Sequence, residues 1–443
     1  MLNSIWLTFL IVAVIVGGFS GRLPAVTKGA FETAEFAVMK IALPLIGIMA
    51  IWLGIMRLAE RAGLVQLIAR ALRPVMRRLF PDVPPEHPAM GSMVMNMAAN
   101  MLGLGNAATP LGLRAMRDLE ALNPHPGIAT NAMCTFLAIN TASVQLIPTT
   151  AIAILVAAGS TRPTAIVGTA LLATLCAATT AIIAVKILEK IRWFAVRTQI
   201  DSAGASETTT PDAASAPATA EFPVAPRRAS WFGFAAIIAL LLFFALIFVR
   251  MVWPQFFSQP IASDANVFIR GVNALSLLAI PFLLSFFPVY AATRGVKVYE
   301  EFVEGAKEGF NVILRIIPFL VAMLVAIGMF KGAGGIDLLS RLLTPVLAPL
   351  QFPPDLLPLA LMRPLSGSAT LALLADIVHR LGPENIVSLM AATIYGSTET
   401  TFYVAAVYFG SVGVKQTRHA IPAGLLADLV GVIASVAICR AVL

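Results

Sequence analysis

The sequence predicts an all-α, polytopic membrane protein built from two inverted repeats. Of its 443 residues, 58% are apolar and only 12% are charged, about half the charged fraction of a soluble protein. Apolar segments of membrane-spanning length recur from one end of the chain to the other, and similar short motifs occur in the same order in both halves. We expect about nine crossings, with one re-entrant helical hairpin and one broken membrane helix in each repeat.

The first half, residues 1–200, contains four apolar segments long enough to be spans. They lie at about 4–18, 39–56, 128–157 and 164–187, and a short polar loop is expected between the first two. Six arginines punctuate the amphipathic stretch that follows the second span and ends at Phe80. We expect this stretch to lie along the membrane surface on the cytoplasmic side.

A segment at residues 90–110 is interrupted too often to be an ordinary span. Gly103, Gly105 and Pro110 break it, and arginines follow it. We expect a re-entrant hairpin with its tip near residues 103–106, and a single kinked crossing helix is the alternative. The candidate solute- or ion-binding residues of this segment are Asn100, Asn106 and Thr109.

The third span is interrupted by polar residues and by Pro148. Its candidate binding residues are Asn140, Thr141, Ser143 and Gln145. Amide and hydroxyl groups could bind Na⁺ or a polar solute, but hydrogen bonding between helices is the alternative for each of them.

Residues 201–228 are predicted to be a flexible cytoplasmic linker, because Ala, Thr, Ser and Pro dominate there.

The second half, 229–443, has apolar spans at about 231–249, 267–287, 312–330 and 420–441. The loop between its first two spans has no Lys or Arg, whereas the next loop is basic. Residues 336–350 are amphipathic, and 356–378 are broken by prolines and a glycine around 363–368.

The most informative stretch of the second half is residues 391–410, which is apolar at both ends and polar in the middle. Its candidate binding residues are Ser397, Thr398, Glu399 and Thr400. A carboxylate at membrane depth costs a few kcal/mol or more, so Glu399 indicates a cavity, a partner or a substrate. We expect Glu399 to be a coupling-ion ligand, a proton carrier or a hydrogen-bond acceptor, and a carboxyl satisfied by helix packing is the alternative.

Two further charged residues lie in apolar surroundings. Arg363, Ser366 and Ser368 are candidate binding residues, and the guanidinium of Arg363 would suit a carboxylate or phosphate. Alternatively, Arg363 pairs with a neighbouring carboxylate, Glu399 or Asp376, or extends outward to the membrane surface. Asp428, in the last span, could carry protons or cap a polar network.

The repeat is visible in short matches that keep a common order. Residues 70–75 resemble 341–346, and 171–174 (LLAT) match 425–428 (LLAD). The loops that correspond in the two halves carry opposite charge bias, which makes the halves inverted. We expect the N-terminus and the linker on the cytoplasmic side and the C-terminus outside.

Several classes of function are disfavoured by the sequence. It has no phosphate-cradling loop, no His or Cys set at metal-ligand spacing and no nucleotide domain, so we expect neither an enzyme nor ATP-driven transport. Its net charge of +8 is spread around the spans, which does not favour nucleic-acid binding. We expect no cofactor beyond a coupling Na⁺ or H⁺. The expected partners are the lipid bilayer and a small solute, and homo-oligomerisation is left open.

Two sets of motifs resemble known families. Residues 100–110 (NMLGLGNAATP) and 133–143 (MCTFLAINTAS) are similar to spore maturation protein A. Residues 361–368 (LMRPLSGS) and 396–404 (GSTETTFYV) are similar to spore maturation protein B. The chain resembles a fusion of the two, and both belong to the nucleoside-recognition, or gate, domain superfamily.

The resemblance implies two gate-domain halves and kinship with concentrative nucleoside transporters. Spore maturation proteins are associated with dehydration of the spore core, but fused forms occur in bacteria that make no spores. We therefore expect a secondary transporter or facilitator of an anionic or nucleoside-like solute in the bacterial cytoplasmic membrane. The alternative is a membrane scaffold, without transport, in envelope or spore maturation.

Overall fold

The computed structural model describes residues 2–103, 105–194, 231–257, 267–335 and 352–443. Regular structure within these ranges is helical, apart from one isolated bridge between Ile128 and Gln416. The linker at 201–228 and the amphipathic stretch at 336–350, both singled out by the sequence, lie outside the described residues.

The helices of the first half begin and end close to polar or glycine-rich turns. They are α1 (Leu2–Phe19), α2 (Leu23–Phe36), α3 (Leu43–Arg61), α4 (Leu64–Leu79), α5 (Pro88–Met101), α6 (Gly105–Glu120), α7 (Asn131–Ala142), α8 (Thr149–Ala157) and α9 (Ile166–Leu188). A π-helical segment, Ala37–Ala42, joins α2 to α3 without interruption.

The second half has the same mixture of long and short helices. They are α10 (Trp231–Val252), α11 (Val267–Thr293), α12 (Val298–Gly332), α13 (Leu357–Met362), α14 (Gly367–Leu381), α15 (Ile386–Ser397), α16 (Thr401–Gly410) and α17 (Ala420–Val442).

Five described helical segments are long and apolar enough to cross a membrane. They are Leu23–Arg61, Ile166–Leu188, Gly233–Val252, Val267–Thr293 and Ala420–Val442. Two shorter apolar helical segments, Trp6–Phe19 and Leu320–Gly332, accompany them. The chain is therefore a multi-pass, helical membrane protein, as the sequence predicted.

The prediction of a polar loop between the first two spans is wrong. Residues 23–36 form α2, and with α3 they make a helical rod that ends at Arg61. Its charged residues, Lys28, Glu32 and Glu35, are good helix formers with exposed side chains, and Lys28 pairs with Glu32 one turn later at 3.6 Å. The basic loop expected before the span at 312–330 is likewise mostly helix, because α12 begins at Val298.

The α2–α3 rod packs along α12, and glycines allow the two backbones to approach closely. An added Cβ at Gly328 would lie 2.6 Å from the carbonyl oxygen of Gly29, and one at Gly309 would lie 2.8 Å from the amide of Ala50. Small residues play this role in membrane helix pairs, where burial of apolar surface supplies no driving force. Arg57 of α3 pairs with Glu301 of α12 at 2.8 Å, so the end of α3 lies beside the start of α12 and the two run antiparallel.

Two broken helical paths, α7–α8 and α15–α16, run in opposite directions. The start of α7 is tied to the loop after α16, because the amides of Lys415 and Gln416 donate to the carbonyl of Gly127 at 2.9 and 3.1 Å. The start of α15 is tied to the loop after α8, where Ser160 Oγ and the Thr161 amide each donate to Glu384 at 2.8 Å. The two halves are thus antiparallel in their broken helices.

A helical hairpin precedes each broken path. In the first half α5 turns at Leu102 and Gly103 and packs along α6, close to the tip expected from the sequence. In the second half α13 turns through Arg363–Ser366 into α14. Each hairpin leads directly into the start of its own broken path, so the two hairpins have their bases at opposite ends of the molecule. Their re-entrance into a membrane, and the nine crossings, remain predictions.

Candidate functional site

The two broken helices are joined to each other at their breaks. The backbone N–H of Glu399 donates to the carbonyl of Thr141 at 2.7 Å. Helix α7 ends there because Ser143 takes a left-handed conformation, with φ +37°, which is uncommon for a residue with a side chain. Helix α15 ends at Ser397 because Thr398 is extended, with φ −140°.

The tip of the first hairpin contacts the break of the first half. Asn100 Nδ2 donates to Asn140 Oδ1 at 2.8 Å, and the amide of Leu146 donates to the carbonyl of Met101 at 3.0 Å. One contact is between side chains and the other is between backbones. Together they fix the position of the hairpin tip relative to the break and orient the Asn100 amide toward it.

The tip of the second hairpin contacts the second break in the same manner. Arg363 Nε donates to Thr398 Oγ1 at 3.2 Å, and the amide of Phe402 donates to the carbonyl of Pro364 at 3.0 Å. Two hairpin tips and two breaks therefore converge at one location.

The last long helix of each half touches its own break from an equivalent position. Thr174 and Asp428 match in the sequence repeat. Thr174 Oγ1 donates to the carbonyls of Ala142 and Ser143 at 2.9 and 3.0 Å. Asp428 Oδ2 accepts from Thr401 Oγ1 at 2.6 Å. A sequence match made on four residues thus corresponds to equivalent places in the fold.

Arg363 is almost fully buried, with 2% of its surface exposed. Its Nη2 donates to the carbonyl of Tyr395 at 2.9 Å, and its guanidinium carbon lies 4.8 Å from the centre of the Tyr395 ring. Asp376 pairs instead with Arg380, at 3.3 Å. Among the described residues no carboxylate lies within 4.0 Å of Arg363, so neither carboxylate pairing nor outward extension describes this arginine. Its charge is held by a carbonyl, a hydroxyl and an aromatic face.

Glu399 lies half-buried in the second break. Its Oε2 accepts a long hydrogen bond, 3.4 Å, from the N–H of the next residue, Thr400. The backbone of Glu399 is committed to Thr141, while its carboxylate is held only loosely by this contact. A carboxylate in that state is available to a cation, a proton or a hydrogen-bond donor.

The remaining candidate residues lie in or beside the breaks and tips. Ser366 Oγ caps α14 by accepting from the amide of Ala369 at 3.2 Å and lies 3.3 Å from Ser368 Oγ. Ser397 Oγ lies 3.2 Å from Ser435 Oγ of α17. Gln145 is half-buried in the first break, and Thr109 is half-buried on α6. Asn106 belongs to α6, but its side chain lies outside the part of the chain that is described.

Sequence reasoning missed two tyrosines that build the site. Tyr395 supplies the ring and carbonyl that hold Arg363. The Tyr408 hydroxyl accepts from Asn96 Nδ2 at 3.3 Å, and its ring stacks on Phe136 with centroids 5.9 Å apart. Both tyrosines look like ordinary apolar positions of a span. A glycine within a helix, Gly112 of α6, is the one sign in the sequence that another group packs closely there. In the structure that group is the Tyr408 hydroxyl, with which an added side chain would collide.

Comparison with known proteins identifies this arrangement. The Gate family, described as nucleoside recognition, matches residues 42–190 and 313–415, more than half of the chain. The chain belongs to the Gate family. The two matched regions contain both hairpins and both breaks, so the gate domain includes the place where these four elements meet.

Two Bacillus subtilis (strain 168) proteins are similar to this gate-domain protein. Spore maturation protein A is 44% identical over 183 residues, which is 41% of this chain and 93% of that protein. Spore maturation protein B is 44% identical over 167 residues, 38% of this chain and 94% of that protein. Almost the whole of each relative is matched by about two fifths of this chain, as expected for a fusion of the two.

Proposed function

We propose that this gate-domain protein is a secondary transporter or facilitator of a small polar solute, anionic or nucleoside-like, that works by alternating access. The observation that carries the proposal is the convergence of two broken helices and two hairpin tips, from antiparallel halves, on the Glu399–Thr141 contact. Inverted repeats with broken helices are the architecture in which a central site is reached from each side in turn.

The polarity of the helix ends suits a solute with an anionic or hydrogen-bond-accepting group. Helices α8 and α16 begin at the breaks without a side-chain cap, and helix N-termini attract such groups through the helix dipole and their first-turn N–H groups. In α16 one of these N–H groups, that of Phe402, is already bonded to the carbonyl of Pro364. The buried charge of Arg363 adds to this potential. We assign solute binding to this cluster, with Arg363, Thr398, Asn100 and Asn140 as the side chains that hydrogen-bond the solute.

Glu399 is the residue to which we assign coupling. Its carboxyl group is half-buried and loosely held, which is what a site for Na⁺ or a transferable proton needs. Asp428 is the second candidate for proton coupling, because its Oδ1 is buried without a hydrogen-bond partner among the described residues.

We place the protein in the bacterial cytoplasmic membrane with its N-terminus and linker inside. The ends of α3 and α9, together with the loop before α17, carry an excess of Lys and Arg, and such loops remain cytoplasmic. Residues 1–200 and 229–443 would then be two gate-domain halves of opposite orientation.

The second candidate function is a membrane scaffold without transport. It is favoured by polar pairs between helices that satisfy each other, such as the Thr169 and Thr393 hydroxyls 2.9 Å apart. Uptake into liposomes separates the two functions. Purified protein reconstituted in liposomes should take up at least one labelled solute from a panel of nucleosides and small carboxylates faster than empty liposomes, which are the control. Absence of uptake across the panel, with correctly folded protein, would favour the scaffold.

A further inference from the structure

Helix α4 combines basic and apolar side chains on its exposed surface. Arg70, Arg73, Arg77 and Arg78 are exposed, and so are Leu67 and Val75, at 45% and 56%. The helix starts at Leu64, only a short turn after the membrane span that ends at Arg61. A helix with this mixture at the end of a span lies in the membrane interface, at the depth of lipid headgroups.

A recess lies between α4 and the first turns of α5. Its volume is about 420 Å³. Arg70, Arg73 and Gln66 line it from α4, and Met90 and Val94 of α5 form part of an apolar floor. Cationic groups above an apolar floor match a molecule with an anionic head and hydrocarbon below it.

The charges of the recess are only partly balanced. Glu86 lines the recess and accepts from Arg73 and Arg77 at 3.5 and 3.4 Å, but it is 85% exposed, so these ion pairs are weak and readily exchanged. Arg70 makes no ion pair within the described ranges. In addition, Gln66 lines the recess, and its Oε1 is buried without a hydrogen-bond partner among the described residues, so this amide gains a hydrogen bond if it turns toward a donor in the recess.

We propose that this recess binds the headgroup of an anionic phospholipid that carries free hydroxyls, as phosphatidylglycerol does. The phosphate lies between the guanidinium groups of Arg70 and Arg73, which pair well with phosphate oxygens. A headgroup hydroxyl donates to Gln66 Oε1, and the first carbons of the acyl chains lie on Met90 and Val94. The site is separate from the central cluster of breaks and tips, and the proposal does not depend on whether the protein transports a solute.

The chain offers two independent ways to disable the recess. Arg70→Gln with Arg73→Gln removes the charge that attracts the phosphate. Gly91→Leu fills the recess and leaves every charge in place, because Gly91 lines the recess and an added Cβ there meets no atom within 4 Å. Arg78→Gln is the matched control, since Arg78 is exposed on the same helix but does not line the recess.

The experiment is titration of phosphatidylglycerol into the full-length protein in detergent, with binding followed by native mass spectrometry. We expect phosphatidylglycerol to bind and phosphatidylcholine not to. The double arginine variant should weaken binding by about thirtyfold, as expected for two charges that each attract an anionic headgroup. Gly91→Leu should weaken it at least as much, and Arg78→Gln should change it less than twofold. Size-exclusion profiles identify any variant that fails to fold, and the other variant then decides the result.

Three results would overturn the proposal. Equal loss in Arg78→Gln would mean diffuse attraction to the whole basic helix. Unchanged binding in Gly91→Leu would mean that the recess is not the site. Competition by millimolar inorganic phosphate as effective as by the lipid would mean that the site takes free phosphate.

Discussion

The amide of Glu399 is bonded to the carbonyl of Thr141, at 2.7 Å, across the two halves of the protein. This contact joins the break of one membrane helix to the break of the other. Each break also bonds the tip of its own hairpin, Asn140 through Asn100 and Thr398 through Arg363. Each hairpin tip is thus separated from the break of the opposite half by only two short contacts.

The orientation of the halves can be tested by cysteine labelling. In a variant whose three native cysteines are replaced, Ser215→Cys in the linker should react with an impermeant thiol reagent only from the cytoplasm. Ser263→Cys, in the loop without Lys or Arg, should react only from outside, because basic flanks are retained in the cytoplasm. Reaction of both positions from the same side would contradict the inverted orientation.

The linker is not expected to pack against the rest of the protein. Cutting the chain at residue 210 and co-expressing the two parts should still give an assembled protein, because this segment lacks the apolar side chains needed for a core. The measurement is copurification of the two parts through a tag on one of them. Well-expressed parts that do not copurify would show that the linker has a structural role.

Close packing of α12 on α2 should make Gly328 intolerant of even one methyl group. Gly328→Ala places a Cβ 2.6 Å from the carbonyl oxygen of Gly29, which should cost about 1–3 kcal/mol through overpacking and lower the melting temperature in detergent. Gly47→Ala is the control, because that helical position is open and alanine is the better helix former. A melting temperature equally low, or equally unchanged, in both variants would argue against this helix pair.

Acid should weaken the protein through His419, at the start of α17. Its side chain is fully buried, and burial, followed by the nearby charges of Arg418 and Lys186, lowers the pKa of His419 to about 4 from the usual 6.5. Between those values the unfolded chain binds a proton that the folded protein does not. The free energy of unfolding therefore decreases as the pH falls through that window and levels off below it.

The test compares thermal unfolding of the wild type with that of His419→Gln from pH 7 to pH 4. The variant should show a shallower pH dependence, whereas His125→Gln, at an exposed loop position, should keep the slope of the wild type. An unchanged slope in His419→Gln would mean that another group causes the acid sensitivity.

Local signals in the sequence predicted much of the fold. Glycine and proline mark both hairpin tips and the first break, polar residues mark the second break, and hydropathy marks the long spans. The polarity of the segment before α3 predicts a loop, whereas the structure has a helix there, on which Lys28 and Glu32 are spaced to pair. Helix packing against α12 decided the conformation there, and it is not visible in a local window.

The sequence singles out residues that the structure brings together at the breaks and tips, but it does not predict the contacts between them. Glu399 and Arg363 stand out because charge is rare in apolar segments. Their partners do not, because Tyr395 holds Arg363 through its ring and its carbonyl, and any residue has a carbonyl. The Glu399–Thr141 bond joins two backbones, so no pattern of side chains in the sequence predicts it.

Glu399 provides the most direct test of the central claim that the joined breaks form a transport site. Glu399→Gln replaces the carboxyl group by an amide at nearly constant volume and leaves the backbone bond to Thr141 in place. The variant should therefore express and fold. Glu300→Gln, which removes an exposed carboxylate that pairs with Lys297, is the control. A Glu399→Gln protein that fails to fold would instead make this residue structural.

The decisive measurement is the initial rate of solute uptake into liposomes by the wild type, Glu399→Gln and Glu300→Gln, using the solute identified by the panel. We predict that Glu399→Gln abolishes uptake, or reduces it at least tenfold, while Glu300→Gln retains the wild-type rate. Uptake by folded Glu399→Gln at the wild-type rate would contradict the account.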